Sequence, residues 1–378
     1  MTDWRGEWFE FEDVAFLNAA GQGPLPRVAL RAAQAALEWK KHPHKMPDAE
    51  YFELPNRVRA SLARLIGGQP EEIAITTGAS GGLAAVAAGI DWKPGDEVLI
   101  ARGEFPAHFT TWLPLAEAGR LKVKVVAPRE RFIAAEDFLA QMGARTRLVS
   151  VSLVRFDDGS LLHAAALARA CQAGGAYLLL DVSQCVGALP MDVAKLGADF
   201  VVSAGYKWLL SPYGTGFLWA RSECIEQMRV GPFYWMALEN AAEFHTLSAG
   251  KWKLAAGARR WDAPETASFF NLAAMDAALE FLLRVGPETV LAHNRGLLEE
   301  MLARLPLDRC VLASPREVAA RGPYLCVAAR SAEKTAVLYE KLRKADVVVS
   351  LREGALRVAP HLYNTPRDID RLLSVLAG

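Results

Sequence analysis

Short apolar segments alternate with helical patterns through the middle of the chain. Strands are predicted at residues 73–77, 97–101, 121–126, 147–153, 177–180, 200–203 and 216–219. Helical spacing between them predicts helices at 79–89, 106–118, 134–142 and 164–173. Apolar strands joined by helices are typical of a mostly parallel sheet that is buried on both faces. Ligands bind to such sheets beyond the carboxyl ends of the strands, so the polar residues at those ends are the candidates for chemistry.

The pattern changes after residue 260. Two long helical patterns cover 267–283 and 288–305, and short strands follow at 324–328, 347–349 and 356–358. Further helices are predicted at 333–344 and from 366 onward. This arrangement is typical of a smaller α+β unit. We therefore predict a large domain at 17–255 and a small C-terminal domain at 256–378, against which residues 1–16 pack.

Composition narrows the range of functions. The 378 residues include 43 Lys and Arg and 43 Asp and Glu, so the formal net charge is zero. A nucleic-acid surface needs an excess of cations, and we therefore expect no nucleic-acid partner. No run of 18 apolar residues is present, so we also expect no membrane span.

The cysteines and histidines indicate no structural metal or disulfide framework. The five cysteines include no C-x-x-C pair, and the seven histidines are scattered. This pattern predicts neither disulfides nor a metal site. The amino-terminal residues also lack a basic region followed by an apolar run, so we expect a reducing, cytoplasmic location.

Two charged residues follow neighbouring predicted strands. Asp181 ends the strand at 177–180, and Lys207 follows the strand at 200–203, about 26 positions later. Because parallel strand ends meet at one edge of a sheet, we expect the two side chains to converge there. Taken alone, this pair is explained by a structural ion pair, and the neighbouring motifs decide between that interpretation and a chemical role.

Six groups of residues resemble the aminotransferase class V family in order and spacing, over nearly the whole chain. They are FLNAA at 16–20 with GPLP at 23–26, TGAS at 77–80, EFP at 104–106, DVSQ at 181–184, SAGYK at 203–207 and RVAPHLYNT at 357–365. The family consists of pyridoxal 5'-phosphate enzymes, among them cysteine desulfurases, kynureninases and isopenicillin-N-epimerase-like proteins. The resemblance implies the α/β fold of fold-type I enzymes, with a mostly parallel seven-stranded sheet and a smaller C-terminal domain.

The resemblance also implies roles for residues around the cofactor ring. Lys207 matches the lysine that forms the Schiff base and then moves the Cα proton of the substrate. Asp181 matches the carboxylate that pairs with the pyridine nitrogen and makes the ring an electron sink. Gln184 matches the donor to the phenolate oxygen. Phe105 matches the residue that stacks on the ring, and a phenylalanine there is typical of the kynureninase and epimerase-like branch rather than of desulfurases.

A glycine-rich turn is expected to hold the cofactor phosphate. Gly78, Ala79 and Ser80 lie where a predicted strand turns into a helix, and free N–H groups at such a point bind anions. Simple packing of helix on strand is the alternative for this turn. By resemblance, Ser203 and Tyr206 match further phosphate ligands.

The residues that bind the substrate are predicted from the same resemblance. Arg357 matches the arginine that binds the α-carboxylate, and Asn18 is placed with it in the substrate site. Arg155 stands where relatives carry Asn or Gln, and three alternatives remain open: it lies near the phenolate oxygen, holds a second acid group of the substrate, or points away. Thr266 is the candidate replacement for a residue that reaches the partner subunit's phosphate in relatives.

Several functions remain compatible with these residues. The leading prediction is an aminotransferase or a C–S or C–C lyase acting on an amino acid, and the alternatives are an epimerase or a catalytically silent scaffold. A nucleotide-binding domain is disfavoured because no G-x-G-x-x-G or P-loop motif is present. No cysteine lies at 348–356, directly before Arg357, so we expect no persulfide-forming desulfurase. By resemblance, and from aromatic residues at 233–235, we expect a homodimer.

Overall fold

The computed structural model describes residues 4–229, 234–243, 252–266 and 268–378. The strands of the described residues are β1 (Ala15–Phe16), β2 (Ile73–Thr76), β3 (Glu97–Ala101), β4 (Lys122–Val126), β5 (Thr146–Ser152), β6 (Tyr177–Asp181), β7 (Phe200–Ala204), β8 (Gly216–Ala220), β9 (Cys310–Leu312), β10 (Leu325–Ala329), β11 (Val347–Val348), β12 (Ser350–Arg352) and β13 (Ala355–Val358). The α-helices are α1 (Arg27–Lys41), α2 (Glu50–Ile66), α3 (Ala79–Gly89), α4 (Pro106–Glu117), α5 (Ala135–Leu139), α6 (Ala164–Gly174), α7 (Val193–Leu196), α8 (Ser222–Gln227), α9 (Phe269–Val285), α10 (Pro287–Ala303), α11 (Ala332–Lys344) and α12 (Pro366–Ala377).

The central element is a seven-stranded sheet in the order β2-β8-β7-β6-β5-β3-β4. The five strands from β4 to β7 in this order are parallel, whereas β8 is antiparallel to both of its neighbours. The residues of β2, β6, β7 and β8 are almost entirely buried, because helices cover both faces of the sheet. The predicted fold class, with a mostly parallel seven-stranded sheet, is confirmed.

Strand direction brings the predicted site residues to one edge. Both β6 and β7 run in the same direction, and β2 shares it because each antiparallel pairing with β8 reverses the chain once. The carboxyl ends of these strands are Asp181, Ala204 and Thr76. The segments that follow them therefore begin side by side, and they carry the glycine turn at Gly78 and the lysine at Lys207.

A separate four-stranded sheet lies in the C-terminal part, in the order β12-β13-β10-β9 with antiparallel pairing. The amino-terminal strand β1 pairs in parallel with β11, so residues 15–16 do pack against the C-terminal part. Helix α9 buries its side chains in the same core as the large sheet and packs on α1 and α2. The domain limits at 17–255 and 256–378 remain a prediction.

Several helices differ from the expectations. Helix α2 and the short helices α7 and α8 are additional to those predicted, and α2 continues through Pro55. Helix α5 ends at Leu139 instead of 142, because the chain then turns at Gly143, whose N–H donates to Thr146 Oγ1 at 2.9 Å before β5 begins. Of the described helices, none combines the length and the apolar character that a bilayer span requires.

Candidate active site

A cavity of about 230 Å³ opens at the carboxyl edge of the large sheet. Eight of the predicted site residues line it, namely Gly78, Ala79, Ser80, Phe105, Asp181, Gln184, Tyr206 and Lys207. The cavity wall also includes Ser152, Phe156 and Tyr213. Four predicted residues, Ser203, Arg155, Arg357 and Asn18, are not part of this lining. All residues predicted for the cofactor except Ser203 therefore line one cavity, whereas the residues predicted for the substrate lie outside its wall.

Lys207 is a buried lysine at the base of the cavity. Burial lowers the pKa of its ammonium to about 8, although the Asp181 carboxylate opposes the shift. Its Nζ lies 5.2 Å from the centre of the Phe105 ring and 5.6 Å from that of Tyr206. The Gly23 backbone packs so closely on the Lys207 carbonyl that a side chain at position 23 would collide with it. With this pKa about a tenth of Lys207 is neutral at pH 7 and about half at pH 8, and the neutral amine is the form that a nucleophile or base requires.

Asp181 is the buried carboxylate of the cavity. Its Oδ1 accepts a hydrogen bond from the Ser183 N–H at 2.8 Å, and its Oδ2 lies 3.7 Å from His108 Nε2. Burial by itself would raise the pKa of Asp181, but His108, Ser183 and Lys207 outweigh burial and hold that pKa below its ordinary value. The carboxylate is therefore ionised at neutral pH and is available to a cationic partner.

His108 is a residue of this site that the sequence prediction missed. It is fully buried in the first turn of α4, and its Nδ1 is 2.8 Å from Ser150 Oγ on β5. Its spacing from Trp112, four residues later on the same helix face, is the only signal in the sequence, and that signal is typical of any core position. Only the structure shows that this histidine, at the beginning of α4, lies between Ser150 of β5 and Asp181 of β6.

The glycine turn has the backbone that anion binding requires. Gly78 has φ 148° and ψ −179°, a conformation that is essentially restricted to glycine. A side chain at position 78 would meet nothing within 4 Å, so the turn borders open space. The first N–H groups of α3, at Ala79 and Ser80, have no acceptor within a helix and are directed outward from its beginning. A side chain at Gly216 would strike the Gly78 Cα, so β8 packs directly against the turn.

The other predicted cofactor residues divide into two groups. Tyr206 lines the cavity, and its ring centre lies 4.5 Å from that of Tyr213. Ser203 is fully buried, and its hydroxyl donates to the Ala204 carbonyl at 3.0 Å. Ser203 is therefore outside the cavity wall, and its hydroxyl is used within the strand. Gln184 Nε2 donates to the Ala20 carbonyl at 3.3 Å, and its buried Oε1 has no partner among the described atoms.

Arg357 is a buried cation on β13. Its guanidinium donates to the Phe156 carbonyl at 3.0 Å and to Ser350 Oγ at 3.4 Å, and its Nε has no partner. Within the described ranges, no carboxylate pairs with it. Burial lowers the pKa of Arg357. The Ser350 hydroxyl in turn donates to Asn18 Oδ1 at 2.5 Å, so Asn18 contacts the arginine only through Ser350.

Arg155 points away from the cavity. Its guanidinium donates to the Gly103 carbonyl and to Asp157 Oδ2, each at 2.8 Å, and lies 3.6 Å from Glu104 Oε2. Of the three alternatives for Arg155, these contacts favour the one in which the side chain points away from the cofactor. The Thr266 hydroxyl donates to the Ala263 carbonyl, three residues earlier in the same loop.

The five cysteines are all free and buried. Burial raises the pKa of Cys326 to about 12 and also raises that of Cys185, so both remain thiols at neutral pH. Cys326 lies on β10 directly opposite Arg357 on β13, inside the small sheet. Within the described ranges, no three His, Cys, Asp or Glu side chains are arranged to hold a metal ion.

Comparisons with known proteins agree with this geometry. The sequence model of the family "Aminotransferase class-V" matches residues 15–372. Isopenicillin N epimerase of Streptomyces clavuligerus is 28% identical, over 100% of this chain and 98% of the epimerase. A probable cysteine desulfurase of Methanothermobacter thermautotrophicus is 26% identical, over 77% of this chain and 72% of that protein.

Solved structures show the same fold. The cystine C–S lyase C-DES, in complex with its product cysteine persulfide, superimposes with a TM-score of 0.86 at 23% identity and covers 97% of each chain. A C-DES mutant with glycine covalently linked to the PLP cofactor gives a TM-score of 0.88 at 23% identity, over 100% of this chain and 99% of that one.

Proposed function

Because the chain belongs to the aminotransferase class-V family, we propose that it is a pyridoxal-phosphate enzyme that transaminates an α-amino acid or cleaves its C–S or C–C bond. The observation that carries this proposal is the convergence of Lys207, Asp181 and the Gly78 turn on one cavity. A buried amine, a buried carboxylate and a phosphate-type turn are the three groups that this cofactor needs.

The residues present fit the cofactor. The open space at Gly78 and the outward N–H groups of Ala79 and Ser80 would hold its phosphate. The ionised Asp181 would hold the pyridine nitrogen, and Phe105 would cover one ring face. The unpartnered Oε1 of Gln184 would accept from a donor on a ligand, whereas the predicted donation to the phenolate oxygen would need Nε2, which donates to the Ala20 carbonyl.

Lys207 would hold the cofactor covalently and then serve as the base at the substrate Cα. When bound, the cofactor supplies an electron sink for the charge that develops at Cα. With a pKa of about 8, Lys207 can both accept and return a proton near neutral pH. Asp181 stays ionised throughout, because its partners hold its pKa low.

Arg357 would bind the substrate α-carboxylate. Its buried guanidinium lacks a carboxylate partner among the described residues and retains an unsatisfied Nε, which supports the arrival of an anionic ligand. Since Arg357 is outside the cavity wall, the ligand would have to span from the Lys207 amine toward β13.

Persulfide chemistry on a protein thiol is not part of the proposed reaction. All five cysteines are buried, and burial raises the pKa of Cys326 to about 12. A nucleophilic thiolate needs exposure and a lowered pKa. Direct β-elimination from a sulfur amino acid needs no such thiol, so a C–S lyase remains within the proposal. Epimerisation is the second candidate, supported by the 28% identity to isopenicillin N epimerase over the full chain.

We also propose a homodimer in a cytoplasmic location. Tyr213 lines the cavity while 72% of it is exposed, which supports an interface near the cavity mouth, and Trp235 is a further exposed aromatic residue at 41%. Phe233, the first of the three predicted aromatic residues, lies outside the described residues. Five free cysteines support a reducing compartment.

The absorbance of purified protein with added pyridoxal phosphate tests the cofactor assignment. We expect a yellow protein whose colour is lost on borohydride reduction, with the cofactor mass located on the Lys207 peptide by mass spectrometry. A protein that stays colourless, or a label on another lysine, would contradict the proposal.

A substrate screen then separates the reactions. Amino acids are supplied with and without a keto-acid acceptor, and keto acid, pyruvate, alanine, sulfide and optical rotation are measured. Sulfide release that persists in all five single Cys→Ser variants supports direct elimination. A trapped persulfide on one cysteine, with activity lost in that variant alone, would contradict it.

A further inference from the structure

We propose that His108 is a positioning residue that holds the Asp181 carboxylate in the orientation and charge state required by a cationic ring nitrogen. This inference rests on the proposed function for the identity of the ligand. The contact between His108 and Asp181 itself is present without any ligand, and it can be tested separately.

The geometry places His108 directly behind Asp181. The carboxylate has two oxygens with different partners: Oδ1 accepts from the Ser183 N–H at 2.8 Å, and Oδ2 lies 3.7 Å from His108 Nε2. That separation is longer than a hydrogen bond, and Nε2 has no hydrogen-bond partner among the described atoms. An unpartnered ring nitrogen, fully buried and facing a carboxylate oxygen, is costly unless it interacts with that oxygen.

Ser150 fixes the other side of the imidazole ring. Its hydroxyl is 2.8 Å from His108 Nδ1 and is fully buried on β5. A hydroxyl can donate or accept, so it supports both the neutral and the protonated ring. With Nδ1 held by β5 and Nε2 directed at β6, the ring cannot rotate away from Asp181 without losing a buried hydrogen bond.

The charges around His108 favour a proton on the ring. Burial disfavours the protonated His108 ring, and so does the positive charge of Arg155, which follows β5. The beginning of α4, where His108 lies, also disfavours a positive charge. Glu104, in the loop before α4, and Asp181, on β6, favour it and together raise the pKa of His108. A cation behind Asp181 keeps the carboxylate ionised, and it also limits how strongly the carboxylate can hold a proton on a ring nitrogen. His108 would thereby set the strength of the electron sink.

The first experiment uses protein without cofactor. The titration of the His108 ring is followed by ¹³C-edited NMR of histidine-labelled protein, with His108→Phe used to assign its signal among the seven histidines. We expect Asp181→Asn to lower the pKa of His108, because the variant removes a negative charge that favours the protonated ring. An unchanged titration of His108 in Asp181→Asn would overturn the inference, whether or not the protein later binds pyridoxal phosphate.

The second experiment uses the cofactor-loaded protein. The pH dependence of its visible absorbance and its turnover are compared in wild type, His108→Phe and the matched control His293→Phe. His293 is also a buried histidine, but it lies on α10 and contacts the Asn364 carbonyl at 3.0 Å. We expect His108→Phe to move the absorbance midpoint and to lower kcat about tenfold, the effect of losing one interaction with a charged group, with KM little changed. His293→Phe should leave the midpoint unchanged.

A third variant distinguishes hydrogen-bond donation by the side chain at position 108 from its packing. His108→Gln retains an N–H donor that can face Asp181, so we expect it to recover part of the turnover lost in His108→Phe. Equal loss of turnover in His108→Phe and His293→Phe, with both midpoints unchanged, would show that His108 acts only through packing and would overturn the inference. A colourless protein in which Asp181→Asn still shifts the His108 titration would contradict the proposed function alone.

Discussion

The two ends of the candidate site differ in how their buried charges are neutralised. Asp181, at the cofactor end, has the Ser183 N–H, His108 and Lys207 around it. Among the described residues, Arg357, at the substrate end, has a carbonyl and a hydroxyl oxygen as acceptors and the Tyr324 ring 5.7 Å from its guanidinium carbon. Both side chains are almost completely buried. The cofactor end is therefore balanced by the protein itself, whereas the substrate end carries a cation for which a ligand would supply the counter-charge.

The difference follows from the two sheets. The parallel strands β6 and β7 end side by side, so their following segments supply several partners to one point. Arg357 lies within an antiparallel strand of the small sheet, where its neighbours in register are Cys326 and Ser350. Neither neighbour carries charge at neutral pH. A buried charge without a partner is costly, and such a cost is commonly retained where a ligand binds.

The largest expected effect is at Lys207. Lys207→Ala removes the proposed base, so kcat should fall at least about 100-fold, and borohydride should no longer fix the cofactor. The fold should persist, because the side chain ends in a cavity. Steady-state kinetics and mass spectrometry measure the two losses. The control is Lys195→Ala, whose side chain is 85% exposed and pairs with Asp192, and an equal loss there would contradict the role of Lys207.

Asp181→Asn tests the balance at the cofactor end. The amide cannot stabilise a protonated ring nitrogen as a carboxylate does, and the loss of an adjacent opposite charge changes a pKa by about 1–3 units. Turnover should therefore fall by about tenfold to 1,000-fold while cofactor remains bound. Absorbance after dialysis measures retention, and kinetics measure turnover. Asp91→Asn, at an exposed ion pair with Arg229, is the control. Unchanged turnover in Asp181→Asn would exclude the electron-sink role.

Arg357→Lys tests the substrate end. Lysine keeps the charge but loses the planar fork that binds a carboxylate through two parallel bonds. A hydrogen bond to a charged group contributes about 1.5–3 kcal/mol, so KM for the amino acid should rise by about tenfold to 150-fold. Cofactor binding should be unchanged, since Arg357 is not in the cavity wall. Loss of cofactor instead of substrate affinity would show that the two ends are not separate, and Arg352→Lys, on an exposed position of β12, is the control.

The pH dependence of cofactor uptake tests the lowered pKa of Lys207 at the cofactor end. Uptake by the cofactor-free protein requires the neutral amine, whose pKa is lowered to about 8. The rate should therefore rise about tenfold per pH unit below that value and become constant above it. Because Asp181 opposes the lowering, Asp181→Asn should move the midpoint to lower pH. Stopped-flow absorbance measures both curves, and a midpoint near the ordinary lysine value of about 10.4 would contradict the buried amine.

The smallest expected effect is at Ser350. Its hydroxyl accepts from Arg357 at 3.4 Å and donates to Asn18 at 2.5 Å, so Ser350→Ala removes two buried hydrogen bonds from the arginine's support. A neutral hydrogen bond contributes about 0.5–1.5 kcal/mol, and KM should rise about two- to tenfold with kcat retained. Asn18→Ala should raise KM by a similar or smaller factor. A larger effect on kcat than on KM would place Ser350 at the reacting centre instead.

The local pattern of the chain predicted most of the large sheet. The predicted segment 97–101 matches β3 at both ends, and the predicted segment 177–180 ends one residue before β6 does, because short apolar runs bounded by turn residues are typical of buried strands. The positions of Asp181 and Lys207 after neighbouring strands followed from the same pattern. Spacing alone did not determine the direction of β8, since antiparallel and parallel strands that are buried on both faces have the same apolar pattern.

The amino-acid sequence by itself determined the family and the fold class, and it predicted the residues of the cofactor end, because those residues adjoin strand ends and occur in contiguous motifs. Only the tertiary structure decided that Ser203 is fully buried away from the cavity wall, that Arg155 donates to the Gly103 carbonyl, and that His108 faces Asp181. Each of these outcomes depends on contacts between residues that lie on separate elements, or on the burial that the assembled elements produce. The physical reason is that a side chain's chemistry follows from its charge partners and burial, and neither is contained in local spacing.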